Sequence, residues 1–182
     1  TIRTPNLDRM AREGIRLTSF YAASPGCSPS RAALLTGRYP LRCGVPTVYG
    51  PETLKGLPES EITLADILKK QGYRTMAVGK WHLGHAKRDY MPTSRGFDHY
   101  FGLLYSNDMK KPWVQTDRPL ALFRDLDSIE HPVDQASLTR RYTEECISFI
   151  RTSQKDPFFF YLPYAMPHLP ISASEKFTGV SR

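Results

Sequence analysis

One unit of the chain limits its fold more than any other: a capped helix that stops on a glycine and runs straight into a short apolar strand. Thr63, with Asp66 three residues on, gives a capping-box start, and Gly72 gives a stop. Between them Leu64, Ile67 and Leu68 form the stripe predicted to be buried. Residues 74–79, Arg-Thr-Met-Ala-Val-Gly, then read as a compact strand. A helix joined so directly to a strand is the alternation of a sheet covered by helices, an α/β fold. A second run, 157–162, is continuously apolar after Pro157, as in a strand covered on both faces. Ahead of it, 138–152 has a helical period with Tyr142, Cys146, Ile147 and Ile150 on one side.

The N-terminal third carries two more helices. Residues 4–14 place Pro5 at the first helical position, Leu7, Met10 and Ala11 on one face, and Gly14 at the end. Residues 15–22 follow with Ile15, Leu17 and Phe20 and read as a strand. From 28 to 37, Ser28 is the expected N-cap, Pro29 the first helical residue and Gly37 the stop. Between 39 and 60 the composition turns to Pro, Gly and polar residues, which predicts a long surface loop. Residues 85–137 read mainly as loop with short elements, including a packed aromatic segment at 94–102.

Chemistry-bearing residues fall where this fold would place a ligand. Cys27 stands at a helix N-terminus with Arg31 one turn in, an address suited to an anion or a thiolate. Lys80 and His82 follow the 74–79 strand, and His168 follows the 157–162 strand between two prolines. In open α/β sheets ligands bind beyond the carboxyl ends of the strands, so these three addresses are expected to converge.

Twenty-five Lys and Arg against 18 Asp and Glu give a net charge of +7, which favours anionic partners. The basic residues are scattered and match no nucleic-acid motif, so nucleic acid is not expected as a partner. No stretch is long and apolar enough to be a membrane segment. The three cysteines, Cys27, Cys43 and Cys146, include no C-x-x-C pair and no zinc spacing. Cys43 and Cys146 can pair or stay free, and Cys146 reads as a core thiol.

The string Cys27-Ser28-Pro29-Ser30-Arg31, continuing Ala-Ala-Leu-Leu-Thr-Gly-Arg38, closely resembles the signature of the type I sulfatases, the arylsulfatase family. Gly79-Lys80-Trp81-His82-Leu83-Gly84 resembles a second family string, and Tyr105-Ser106-Asn107-Asp108 a third, with Asn107 in place of the family's His. The resemblance implies an alkaline-phosphatase-like sheet flanked by helices, incomplete in this chain, and a sulfuric ester hydrolase. It implies that Cys27 is converted by a formylglycine-generating enzyme to formylglycine, whose hydrate attacks the sulfur of a sulfated small molecule or glycan. On the matched positions Arg31 stabilises the hydrate and His82 helps deprotonate it. Lys80, His168 and Ser106 then hold the sulfate oxygens and leaving group.

The family also binds calcium or magnesium through an Asp pair, a later Asp-Asn pair and the formylglycine, here position 27. Those Asp and Asn ligands are not found in this sequence. Residues 1–182 are therefore expected to be part of the N-terminal sulfatase catalytic domain, truncated at both ends and inactive alone, with an active parent. An extracytosolic setting in periplasm, lysosome or secretions is implied by the resemblance alone. Two alternatives stay open: a phosphate or phosphonate ester hydrolase of the same superfamily, and a catalytically silent relative that binds anionic glycans.

Overall fold

A computed structural model describes residues 3–180. Four helices, α1 (Pro5–Glu13), α2 (Cys27–Thr36), α3 (Leu64–Lys70) and α4 (Leu138–Thr152), accompany five strands: β1 (Arg74–Lys80), β2 (His99–Leu103), β3 (Leu122–Arg124), β4 (Asp127–Glu130) and β5 (Phe158–Tyr161). The strands form one sheet in the order β4-β3-β2-β1-β5. β1 runs parallel to both β2 and β5, while β3 and β4 add on as an antiparallel hairpin. The α/β expectation is met, and the parallel part brings the carboxyl ends of β1, β2 and β5 to one edge.

The sheet is covered on both faces. Phe149 of α4 meets Phe158 and Phe160 of β5, and Tyr142 of α4 meets Phe101 of β2. Phe97 packs on the other face against Phe159, Tyr161 and Trp81. Period-2 alternation along β5 explains how its four aromatic residues serve both layers. No helix among the described residues is long and apolar enough to cross a membrane.

Several expectations are corrected. Residues 15–22 form no strand; they pair with nothing in the described sheet, and Ile15, Leu17, Phe20 and Tyr21 are exposed. The helix at α1 is present, but none of its residues is buried. On α3 the capping box forms as predicted, yet Leu64 and Ile67 face outward and Ala65 is the residue buried against the fold. The 95–97 segment approaches this part of α3 so closely that a Cβ on Gly96 would lie 2.2 Å from the Asp66 nitrogen and 2.5 Å from the Ala65 carbonyl carbon, which requires glycine at 96. In α4 the buried residues are Leu138, Tyr142 and Phe149, while Ile147 and Ile150 are exposed.

β5 is an edge strand among the described residues and only half-buried; the strands buried along almost their whole length are β1 and β2, each flanked on both sides. The 39–60 loop is not superficial, since Cys43, Val45, Tyr49 and Leu57 are buried. The aromatic segment at 94–102 contains a strand, β2, whose Gly102 passes so near β1 that a Cβ would lie 1.9 Å from the Gly79 oxygen. All three cysteines are free; Cys43 is buried and the Cys146 thiol is pushed up in pKa by burial.

Candidate active site

The first wall of the site is the start of α2. Gly26, with extended backbone angles, is the N-cap, so Cys27 is the first helical residue and Pro29 the third. Ser28 does not cap the helix as expected, because its buried hydroxyl accepts the Tyr49 backbone N–H at 3.1 Å. The first helix-type bond runs from the Ser30 N–H to the Gly26 oxygen at 3.1 Å, and proline at the third position has no N–H to strand there. The N–H groups of the first turn and the positive end of the helix therefore gather beside the Cys27 side chain. Gly37 ends α2 in the left-handed conformation, φ 66°, as its sequence predicts.

The second wall is the end of β1. Gly79 has φ 125°, and any Cβ on it would lie 2.1 Å from the Pro163 oxygen; glycine lets the exit of β5 close onto β1. The next N–H, that of Lys80, donates to that Pro163 oxygen at 2.8 Å. The Lys80 ammonium lies 3.4 Å from the Cys27 sulfur and donates to the Ser106 hydroxyl at 2.9 Å. Burial lowers the pKa of this side chain, Cys27 and Asp108 oppose that effect, and the Arg31 guanidinium adds to it. Arg31 donates to the Lys80 carbonyl and reaches the Tyr161 hydroxyl at 3.5 Å, so it spans α2, β1 and β5.

His82 is almost wholly buried and sits at φ 61°, a backbone region costly for a residue with a Cβ and often associated with function. Its Nε2–H donates to the Tyr49 carbonyl at 2.7 Å, which leaves Nδ1 as the acceptor of a neutral ring. Nδ1 is buried and has no hydrogen-bond partner. Burial first, then the nearby Lys80 charge, pushes the His82 pKa down to about 3. A neutral imidazole with one unused lone pair can accept a hydrogen bond from a hydroxyl, while its low pKa makes it a weak base.

The ends of β2 and β5 complete the edge. Ser106 is buried after β2, followed by Asn107 and Asp108. Beyond β5, His168 lies between the cis bonds Met166–Pro167 and Leu169–Pro170. Its Nδ1–H donates to the Leu169 carbonyl at 2.6 Å and stands 3.7 Å from Asp108 Oδ1. The structure thus puts Lys80 in direct contact with both Cys27 and Ser106, and Arg31 on the Lys80 carbonyl. His82 is tied to the 39–60 loop through Tyr49, and His168 joins the group by way of Asn107 and Asp108.

This arrangement, a cysteine at a helix start facing a buried lysine at a strand end, can be set beside known proteins. A family model described as Sulfatase matches residues 1–182. The chain belongs to the sulfatase family. It is 40% identical to the arylsulfatase G of Mus musculus over 94% of this chain and 38% of that protein. To the N-acetylgalactosamine-6-sulfatase of Mus musculus it is 43% identical over 98% of this chain and 38% of that protein. The chain therefore spans little more than a third of the length of these curated relatives. Among solved structures, Ps i-CgsB in complex with k-i-k-neocarrahexaose superposes with a TM-score of 0.81 at 29% identity, covering 98% of this chain and 44% of that one. BT4656 in complex with its substrate D-glucosamine-2-N,6-O-disulfate gives a TM-score of 0.66 at 29% identity, over 92% of this chain and 30% of that one.

Within this sulfatase chain, sequence reasoning missed three residues that build the edge. Tyr49 uses its backbone N–H on Ser28 and its carbonyl on His82, and so bridges two walls; a backbone role leaves no side-chain signature. Asn107 and Gln135 hold each other, with Gln135 Nε2 donating to the Asn107 carbonyl at 3.0 Å. Asn107 was visible only as a departure from the family string. A divalent ion needs several oxygen ligands, and among the described residues no three His, Cys, Asp or Glu side chains gather closely enough to hold one. The residues around Cys27 are chiefly cationic and do not fit a metal by themselves.

Proposed function

We propose that this chain supplies the nucleophile and the cationic half of an active site that hydrolyses sulfate esters in its parent protein. The observation that carries this reading is the buried Lys80 ammonium, 3.4 Å from the Cys27 sulfur and 2.9 Å from the Ser106 hydroxyl, in a chain of the sulfatase family. Two solved neighbours are bound to saccharides, one of them an N,O-disulfated glucosamine that is its substrate. A sulfated saccharide is accordingly the substrate class we assign. The family's extracytosolic setting is part of the same reading.

Formylglycine made from Cys27 by a formylglycine-generating enzyme would supply an aldehyde hydrate, with one hydroxyl to attack sulfur and a second to expel sulfate. The chain's own residues act around it. The N-terminus of α2 and Lys80 face the negative oxygens of a tetrahedral sulfate, where fixed donors in a water-poor site are most effective. Ser106, held by Lys80, offers a further hydroxyl to the same oxygens. Arg31 braces the Lys80 backbone and lends positive potential. His82, neutral and with Nδ1 unpaired, is the group assigned to hydrogen-bond the hydrate and help its deprotonation, and His168 the group assigned to the leaving oxygen. The calcium or magnesium of the family would need ligands that these residues do not gather.

The test is the tryptic peptide 17–31 from the parent protein made together with a formylglycine-generating enzyme. Mass spectrometry is expected to find the Cys27 thiol replaced by an aldehyde, together with turnover of a sulfated saccharide well above that of the matching phosphate ester. A Cys27 that stays alkylatable under those conditions would remove the nucleophile and with it the reading.

A further inference from the structure

The polar pair after Ser106 has no assigned part in the site, yet both of its members approach His168. Asn107 is fully buried. Its Nδ2 donates to the carbonyls of Pro170 at 3.2 Å and His168 at 3.5 Å, and to Gln135 Oε1 at 3.3 Å. The backbone beneath the His168 ring is therefore gripped from the segment that follows β2. Asp108 Oδ1 is buried with no hydrogen-bond partner, an arrangement that costs free energy unless a partner arrives. His168 Nδ1 stands 3.7 Å away, slightly too far for a hydrogen bond. Such contacts between site residues are often long in the free protein and tighten once the ligand is bound.

Two oxygens thus face one ring nitrogen. A carbonyl and a carboxylate can only accept, so Nδ1 carries the hydrogen and Nε2 is the nitrogen left to act. We propose that Asp108 is the positioning residue of His168, fixing Nδ1–H inward so that Nε2 is presented to the leaving oxygen of the ester, with Asn107 holding the backbone below. The inference rests on the sulfate-ester reading above and deepens it. As the bond from sulfur to the leaving oxygen breaks, that oxygen keeps the electron pair and takes the proton from Nε2. The imidazolium becomes neutral imidazole and retains its Nδ1–H toward Asp108 and Leu169.

The test uses the matured full-length parent and a series of sulfate esters running from activated aryl to unactivated sugar leaving groups. His168→Ala should lose most on the sugar esters, which depend on protonation, and least on activated aryl sulfates. Asp108→Asn should show the same dependence at about 10–100-fold loss on sugar esters. The double variant should be no worse than His168→Ala. Equal loss on every ester, or additive losses in the double variant, would overturn the proposal. Imidazole nitrogen NMR of His168 gives a readout that needs no turnover: Nδ1 protonated in the wild type, with its resonance moved in Asp108→Asn although the Leu169 carbonyl still accepts from it. A wild-type ring protonated only on Nε2, or one indifferent to the substitution, would sink the idea even if the parent hydrolyses sulfate esters. The predicted NMR result in a parent with no turnover would spare it and indict the sulfatase reading.

Discussion

The ends of β1 and β5 reach the same edge of the sheet by different means. At the end of β1, Lys80 and His82 are 2% and 1% exposed, and the backbone goes on bonding to both neighbours after the strand stops. The Lys80 N–H donates to Pro163, Trp81 to Leu103 at 2.9 Å and His82 to Leu104 at 3.0 Å. Beyond β5, the His168 side chain is 39% exposed and its ring is steadied by its own neighbour and by the residues after Ser106. On the proposed reading, the groups assigned to the chemically constant part of a substrate, the sulfate, sit on a buried wall with little freedom. The group assigned to the variable leaving part sits on a loop at the rim. Rigid placement suits electrostatic stabilisation, which depends on dipoles and charges that need not move during reaction.

The largest effect should come from removing charge from the buried wall without removing its bulk. Lys80→Met is expected to lower kcat by about 10²–10³-fold in the matured parent, as for loss of one preorganised donor. Its thermal midpoint should equal or exceed the wild type, because an apolar chain replaces a desolvated ammonium. Steady-state kinetics beside a melting curve checks this. A loss of activity that tracks a fall in melting temperature would show that Lys80 serves packing rather than the sulfate.

The next prediction breaks the wall through its backbone. Gly79→Ala should destabilise the chain by about 3 kcal/mol, read by denaturant unfolding, since its Cβ would meet the Pro163 oxygen at 2.1 Å. Gly72→Ala supplies the contrast: φ is 83° but no atom lies within 4 Å of a Cβ, so only the left-handed conformation is penalised, about 1–2 kcal/mol. Equal costs at the two positions would mean that the closeness of β1 and β5 contributes little.

The same contrast explains what could be read from the sequence. The β1 wall was legible because local signals agreed: capping box, glycine stop, apolar run, then Lys80 and His82. The Cys27 address was legible too, although the cap moved from Ser28 to Gly26, since a serine hydroxyl that suits a cap equally suits the distant Tyr49 N–H. Residues 15–22 misled because an apolar period reports a face that favours burial and does not name its partner; no described strand pairs there. The hold on His168 was hidden for a similar reason. It runs through backbone carbonyls 61 and 63 residues away from Asn107, which leave no mark in the sequence.

The smallest predicted effect is a pH slope, and it sharpens the contrast at His82. Its pKa is about 3 in the folded protein against an ordinary value of 6.5, because burial and then Lys80 oppose the charged ring. Between these values the unfolded chain binds a proton that the folded one refuses, so acid favours unfolding. The contribution of His82 is fully present above pH 6.5 and declines as pH falls toward 3, by at most about 1.4 kcal/mol per pH unit. Urea unfolding of wild type and His82→Gln across that range isolates it: the wild type should lose stability faster on acidification, and the two curves should run parallel above pH 7. A variant whose curve stays parallel to the wild type through pH 5 would mean that His82 titrates normally. The β1 wall would then be open to water at its centre, and the difference between the two strand ends would shrink to one of sequence rather than solvation.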